Sequence, residues 1–186
     1  ELMPPRTGGF DRELFVSGME AMVKLLAGDL AGAADLAARL RADREHRVRE
    51  LREGHAMAVV CGSTAIVAVH IGEIDAAVAD LRVGFPMALT TQDMPVIATV
   101  GVAVAWVAAG QGAPAVASRA LGAAARLRGG DDPFDPLVAR LTERLRADVG
   151  AGYDAAYAQG KALDREDAIA AIDPDRVLIV DPVGST

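Results

Sequence analysis

A chain of 186 residues, 52% hydrophobic and 24% charged, carries enough apolar mass for one sizeable core and too little length for two comfortable domains. Its net charge of −7 argues against a grip on a phosphate backbone, because that affinity comes mainly from Lys and Arg. One cysteine, Cys61, excludes an internal disulfide framework and fits a reducing compartment, so a cytoplasmic location is expected.

Residues 1–9, with two prolines and two glycines, read as a lead-in. Glu1-Leu2-Met3-Pro4-Pro5-Arg6 has neither the basic nor the apolar region of a signal peptide, and a start at Glu1 reads as a fragment of something larger. The spacing of Leu14, Phe15, Met19, Met22, Val23 and Leu26 predicts a helix over 11–27. Gly28 is its stop, and Asp29 is placed to cap a second helix over 31–42 that turns Leu36 and Leu40 inward. From Arg39 to Glu53 arginines alternate with acids, which predicts a solvated helix face with pairs such as Glu45–Arg49, beside a narrow stripe of Val48, Leu51 and Ala58. Helices are expected over 55–71 and 75–89, the latter kinked or ended near Gly84-Phe85-Pro86. Asp93 and Pro95 then start a helix reaching Ala109, and another runs from Pro114 to Leu127.

Met94 to Ser118 contains no charged residue, but its apolar part breaks at Gly110-Gln111-Gly112. It falls short of the roughly 20 residues a spanning helix needs. A core helix is expected, and no membrane partner. Residues 129–172 read as capping helices over 136–149, 153–159 and 165–172, the last capped by Asp164, and 173–186 as an extended tail in which Arg176–Val180 has the composition of a strand.

Three segments nearly repeat: Gly28-Asp29-Leu30-Ala31-Gly32-Ala33, Gly72-Glu73-Ile74-Asp75-Ala76-Ala77 and Gly110-Gln111-Gly112-Ala113-Pro114-Ala115, with their first glycines 44 and 38 residues apart. A period of this size, with an alanine five places after each glycine, predicts stacked helical hairpins over 10–128. Counting back seven from each glycine gives Ala21, Ala65 and Ala103, small residues where paired helices approach.

These hairpins resemble tetratricopeptide repeats, which implies an all-α, right-handed superhelix with a C-terminal helical cap. The run Ala120–Gly129, then Asp132-Pro133, Arg140–Gly150 and Tyr153–Leu163, is similar to the C-terminal end of actinobacterial AfsR/SARP-type and LuxR-like ATPase transcriptional regulators. That resemblance spans about residues 94–172. It implies a repeat region that biases an upstream switch, lacking the DNA-binding and ATPase domains themselves; no Gly-x-x-x-x-Gly-Lys-Ser/Thr phosphate loop occurs in the chain.

Residues that could carry chemistry are sparse. His46, His55 and His70 have no metal-ligand spacing, Cys61 lies among apolar neighbours, and Asp131, Asp132 and Asp135 suit turn and cap duty better than a calcium loop. No catalytic residue, cofactor or metal is expected. The informative surface is apolar. Counted back from Gly28, Gly72 and Gly110, the groove positions are Phe15, Gly18, Met22 and Leu25; Val59, Gly62, Ile66 and Val69; and Ile97, Val100, Val104 and Val107.

None of these positions is polar, and the first helices of hairpins two and three are apolar almost all round, so they must be covered. The cover is a second copy, a neighbouring domain or a hydrophobic ligand, or else tighter coiling of the chain on itself. The sequence thus reads as a non-catalytic interaction or sensor domain, a homodimer or a module docked on neighbouring domains of one regulator. The alternative is a stand-alone adaptor for a peptide, a partner protein or a hydrophobic effector.

Overall fold

The computed structural model describes residues 12–47 and 54–178, with backbone alone at 45–47. The described chain is all-helical: α1 (Arg12–Leu26), α2 (Leu30–Arg47), α3 (Gly54–His70), α4 (Ile74–Thr91), α5 (Met94–Gly110), α6 (Pro114–Arg128), α7 (Pro136–Val149), α8 (Gly152–Lys161), α9 (Arg165–Ala170) and α10 (Pro174–Val177). The Glu45–Arg49 pair and the Val48–Leu51 stripe lie outside the described residues.

The hairpins α1–α2, α3–α4 and α5–α6 turn in one way. A glycine with positive φ follows each first helix: Gly28 at 84°, Gly72 at 81° and Gly112 at 74°. The next residue's N–H closes a wide turn, from Asp29 to Lys24 O, Glu73 to Ala68 O and Ala113 to Ala108 O. The glycine's own N–H closes the narrower one, to Leu25 O, Val69 O and Ala109 O. This double closure satisfies the last carbonyls of the helix and needs a residue without a Cβ penalty at positive φ.

The third hairpin therefore turns at Gly112, two residues beyond the Gly110 expected from the repeat, and Gly110 is the last residue of α5. The alanine five places on is Ala117, fully buried like Ala33 and Ala77, whereas Ala115 is exposed. Two residues turn an α-helix by roughly 200°, so every groove position counted from Gly110 fell on the opposite face.

The core gathers around α3 and α5. Helix α3 packs on α1, α2, α4 and α5, and α5 packs on α3, α4, α6 and α7, which accounts for a helix buried from Ile97 to Ala109 with only Thr99 partly open. The chain itself supplies the cover that an apolar-all-round helix needs. No helix among the described residues is long and apolar enough to cross a membrane.

Helix α2 runs further than expected and attaches by charge. Ala33, Leu36, Ala37 and Leu40 face the core, and the same stripe continues into Arg41 and Arg44. Both reach the fully buried Asp80 of α4: Arg41 Nε donates to Oδ2 at 2.9 Å and Arg44 to Oδ1 at 2.7 Å. Arg41 also donates to Thr64 O at 3.0 Å, and Arg44 to Cys61 Sγ at 3.3 Å. Two arginines of the charge run thus point inward, not into solvent. Burial pushes the Cys61 thiol up to about 11, although Arg44 beside it pulls the other way.

Helix α4 is continuous through Pro86, so the proline does not end it. Pro86 and Arg82 are on the exposed side, so water can satisfy the Arg82 carbonyl that loses its donor, while Gly84 and Phe85 anchor the helix inside. In the cap, α8 crosses α6 through two glycines. A Cβ on Gly122 would collide with the Tyr157 carbonyl oxygen, and one on Gly160 with that of Arg119. The segment read as a strand forms the helical turn α10 up to Val177, held by an Arg82–Asp175 ion pair at 2.8 Å and by buried Leu178; residues 179–186 lie outside the described residues.

Candidate functional site

A cleft of about 650 Å³ opens on the first-helix face, between α1, α3, the start of α5 and the loop leading into α7. Phe15 and Met22 come from α1, Val59, Gly62 and Ile66 from α3, and Thr99 from α5. These are equivalent positions once the third hairpin is counted from Gly112, so one helical face repeated three times builds the floor. Met19, Val23 and Leu26 form the α1 wall, and Pro136 and Leu137 close the opposite end. Arg140 of α7 reaches back to α1, donating to Leu26 O at 3.1 Å.

Of the expected groove residues, Phe15, Met22, Val59, Ile66 and Gly62 line this cleft. Leu25 is buried, and Val69 packs toward Gly110 at the far end of the hairpins. Ile97, Val100, Val104 and Val107 are interior, on the side of α5 turned from the cleft, and offer nothing to a partner. Their replacements in the corrected register are Thr99, Val102, Trp106 and Ala109, of which Thr99 alone reaches the cleft. Met19 and Val23 were visible in the sequence as helix positions, but the count from the turn did not select them. Trp106 holds the place of Met22 and Ile66. It is buried against the His70 ring, 4.8 Å away, and among the described residues its Nε1–H has no acceptor.

The charged groups and the threonine at the cleft are already engaged, while Ser63 of α3 adds a hydroxyl to its lining. Arg128 pairs with Asp132, Asp135 Oδ1 caps α7 by accepting from Leu137 N at 2.8 Å, and Thr99 Oγ1 donates to Pro95 O at 3.0 Å. What remains to meet an occupant is hydrocarbon, the Ser63 hydroxyl and two methionine side chains, Met19 and Met22, whose flexible thioethers adapt to varied shapes.

Comparison with protein-family models, curated proteins and solved structures gave no match.

The α6–α7 loop bordering the cleft is tied on both sides. Asp132 Oδ1 accepts from the N–H groups of Phe134 and Asp135 at 3.3 and 3.2 Å. Asp131 accepts from the Tyr157 hydroxyl and from Lys161 Nζ, the latter at 2.7 Å. The Lys161 and Tyr157 bonds hold the Asp131 carboxyl below its usual range, and burial followed by the Asp131 bond raises the Tyr157 hydroxyl. The three aspartates serve the turn, a cap and the tie to α8. Among the described residues no group of three or more His, Cys, Asp or Glu side chains is placed to hold a metal ion. His55 meets Asp93 at 3.3 Å, and His70 meets Ile66 O at 2.8 Å; the His46 side chain lies outside the described residues.

Proposed function

We propose that this chain is a non-catalytic interaction domain of a cytoplasmic, multidomain transcriptional regulator. It is read as a right-handed superhelix of tetratricopeptide-like hairpins that works by receiving an apolar element in its first-helix cleft. The observation that supports this is the repetition itself: the cleft floor comes from equivalent positions of three hairpins that share one turn geometry. Repeat proteins use such composite concave faces for recognition. Turnover would need convergent polar groups free to act on a substrate, and the cleft's arginine and aspartates are spent on each other and on backbone. The regulator context rests on the resemblance of residues 94–172, and the bias it would exert follows from differential contact in two states of the larger protein.

Titration with an uncharged solvatochromic dye such as Nile red, at low protein concentration, tests the cleft. Saturable binding is expected, weakened at least about tenfold by Val59→Glu, which places a carboxylate in hydrocarbon, with an unchanged circular-dichroism melt. No binding by the native chain, or binding indifferent to Val59→Glu, overturns the reading.

A further inference from the structure

We propose that the occupant of the cleft is a second copy of this chain, each copy inserting Phe134 into the other's cleft. The inference rests on the interaction reading above and names its partner. Phe134 is 92% exposed, the most open of the large apolar side chains described. A phenylalanine so displayed forgoes the burial its ring would gain under a cover.

The loop that displays it is rigidly built. Asp132 binds the Phe134 N–H and pairs with Arg128, Asp131 is held by Lys161, and prolines stand at 133 and 136. A loop so held gives up little backbone freedom on docking. Asp132, Asp135 and Pro136 themselves line the cleft, so knob and hole lie side by side on one surface. That adjacency is what a two-fold exchange needs, because an axis between them brings each knob to the other's hole and the contact closes at two copies. A knob facing away from its hole would propagate head to tail instead.

The rim fits the same event. Met19 at 45% and Val23 at 62% exposure form an apolar wall that an arriving Phe134 loop covers. The volume admits the benzyl ring with part of the flanking loop. Arg140, bonded to the Leu26 carbonyl on that wall, puts a cation where the loop of the other copy brings in Asp135. Opposite charges at a rim steer the approach more than they add affinity.

Sedimentation velocity across a dilution series tests the exchange, using the native chain, Phe134→Ser, Val59→Glu and an equal mixture of the two variants. The native chain is expected to dimerise, and each variant alone to bind itself about a hundredfold more weakly or worse. The mixture is expected to recover a heterodimer, because one variant keeps its cleft and the other its knob. A native chain monomeric throughout, a dimer indifferent to Phe134→Ser, or a mixture no better than its components overturns the exchange. The dye then separates the two readings. Binding by a monomeric native chain removes only the exchange, and absence of binding by that monomer removes the cleft reading as well. Phe134→Ser touches no buried contact, so its melting curve serves as the folding control.

Discussion

Asp80→Ala would remove the carboxylate on which α2 is fastened. Two guanidiniums would then remain in a protein interior, with side-chain exposures of 17% for Arg41 and 11% for Arg44. Removing one partner of a buried ion pair costs about 3–5 kcal/mol, because the surviving charge is left without compensation. Arg41 keeps the Thr64 carbonyl at 3.0 Å and Glu73 at 3.6 Å, so the lower end, about 3 kcal/mol, is expected. For a domain of this size that corresponds to a fall in Tm of roughly 6–12 °C.

Urea denaturation followed by far-ultraviolet circular dichroism, with calorimetric Tm, measures it. The companion variant Asp80→Leu with Arg41→Met and Arg44→Met replaces the whole cluster by hydrocarbon, and is expected within about 1 kcal/mol of native or above it. A loss below about 1 kcal/mol for Asp80→Ala would refute the reasoning, since it would mean that water already solvates both arginines.

Val104→Asp is expected to unfold the chain, not to release a folded monomer, because Val104 is fully buried and an unpaired carboxylate there exceeds what marginal stability tolerates; a native-like heteronuclear NMR spectrum would contradict this. Gly160→Ala should cost about 3 kcal/mol or more by forcing α8 off α6, read as a lower urea midpoint, whereas Gly130→Ala, with open space at its Cβ, should be nearly silent. Alkaline pH should weaken the fold. The Cys61 pKa is raised on folding, so its stabilising contribution is complete below pH 9.0 and disappears as pH rises to about 11. Tyr157, raised as well, acts in the same direction above its ordinary pKa of 10.0. Cys61→Ala should flatten the fall of Tm that begins near pH 9, and an unchanged slope would remove the thiol from the account.

The hairpins were legible because their turns are local chemistry: a glycine that can take positive φ, a cap, and an apolar run on each side. The phase of the third hairpin was not. Gly110 and Gly112 both offer a stop, and α5 is apolar around its whole circumference, so its pattern carries no phase to choose between them. In α1 the inward positions Leu14, Gly18, Met22 and Leu25 contrast with Glu13, Glu20 and Lys24, so that helix carries a phase; of the counted Phe15, Gly18, Met22 and Leu25, Phe15 and Met22 reach the cleft and the other two are buried. Buried Ala117 against exposed Ala115 is the signal that decides the third turn, and it exists only in three dimensions.

The arginine clamp had a trace in the sequence. Asp80 sits among Ala77, Leu81 and Gly84 on the inward face of α4, where a carboxylate has no place without a cation. The partner it required was in the charge run of α2, which i,i+4 pairing had appeared to satisfy locally. Phe134 went unmarked because loop composition says what turns a chain and not what the turn displays.

The place of Trp106 has an optical consequence. It is the only tryptophan in the chain, so all indole emission comes from one site in α5. With its Nε1–H lacking an acceptor among the described residues and its ring screened from water, that emission should lie toward the blue. The His70 imidazole, 4.8 Å away and tilted by 46°, is a contact quencher of that emission. His70 closes α3, and α3 carries Val59 and Ile66 into the cleft, so a shift of that helix on filling would alter the distance between ring and quencher. The molecule thus carries its own fluorophore and quencher across the α3–α5 seam, and a label-free intensity change can report what enters the cleft.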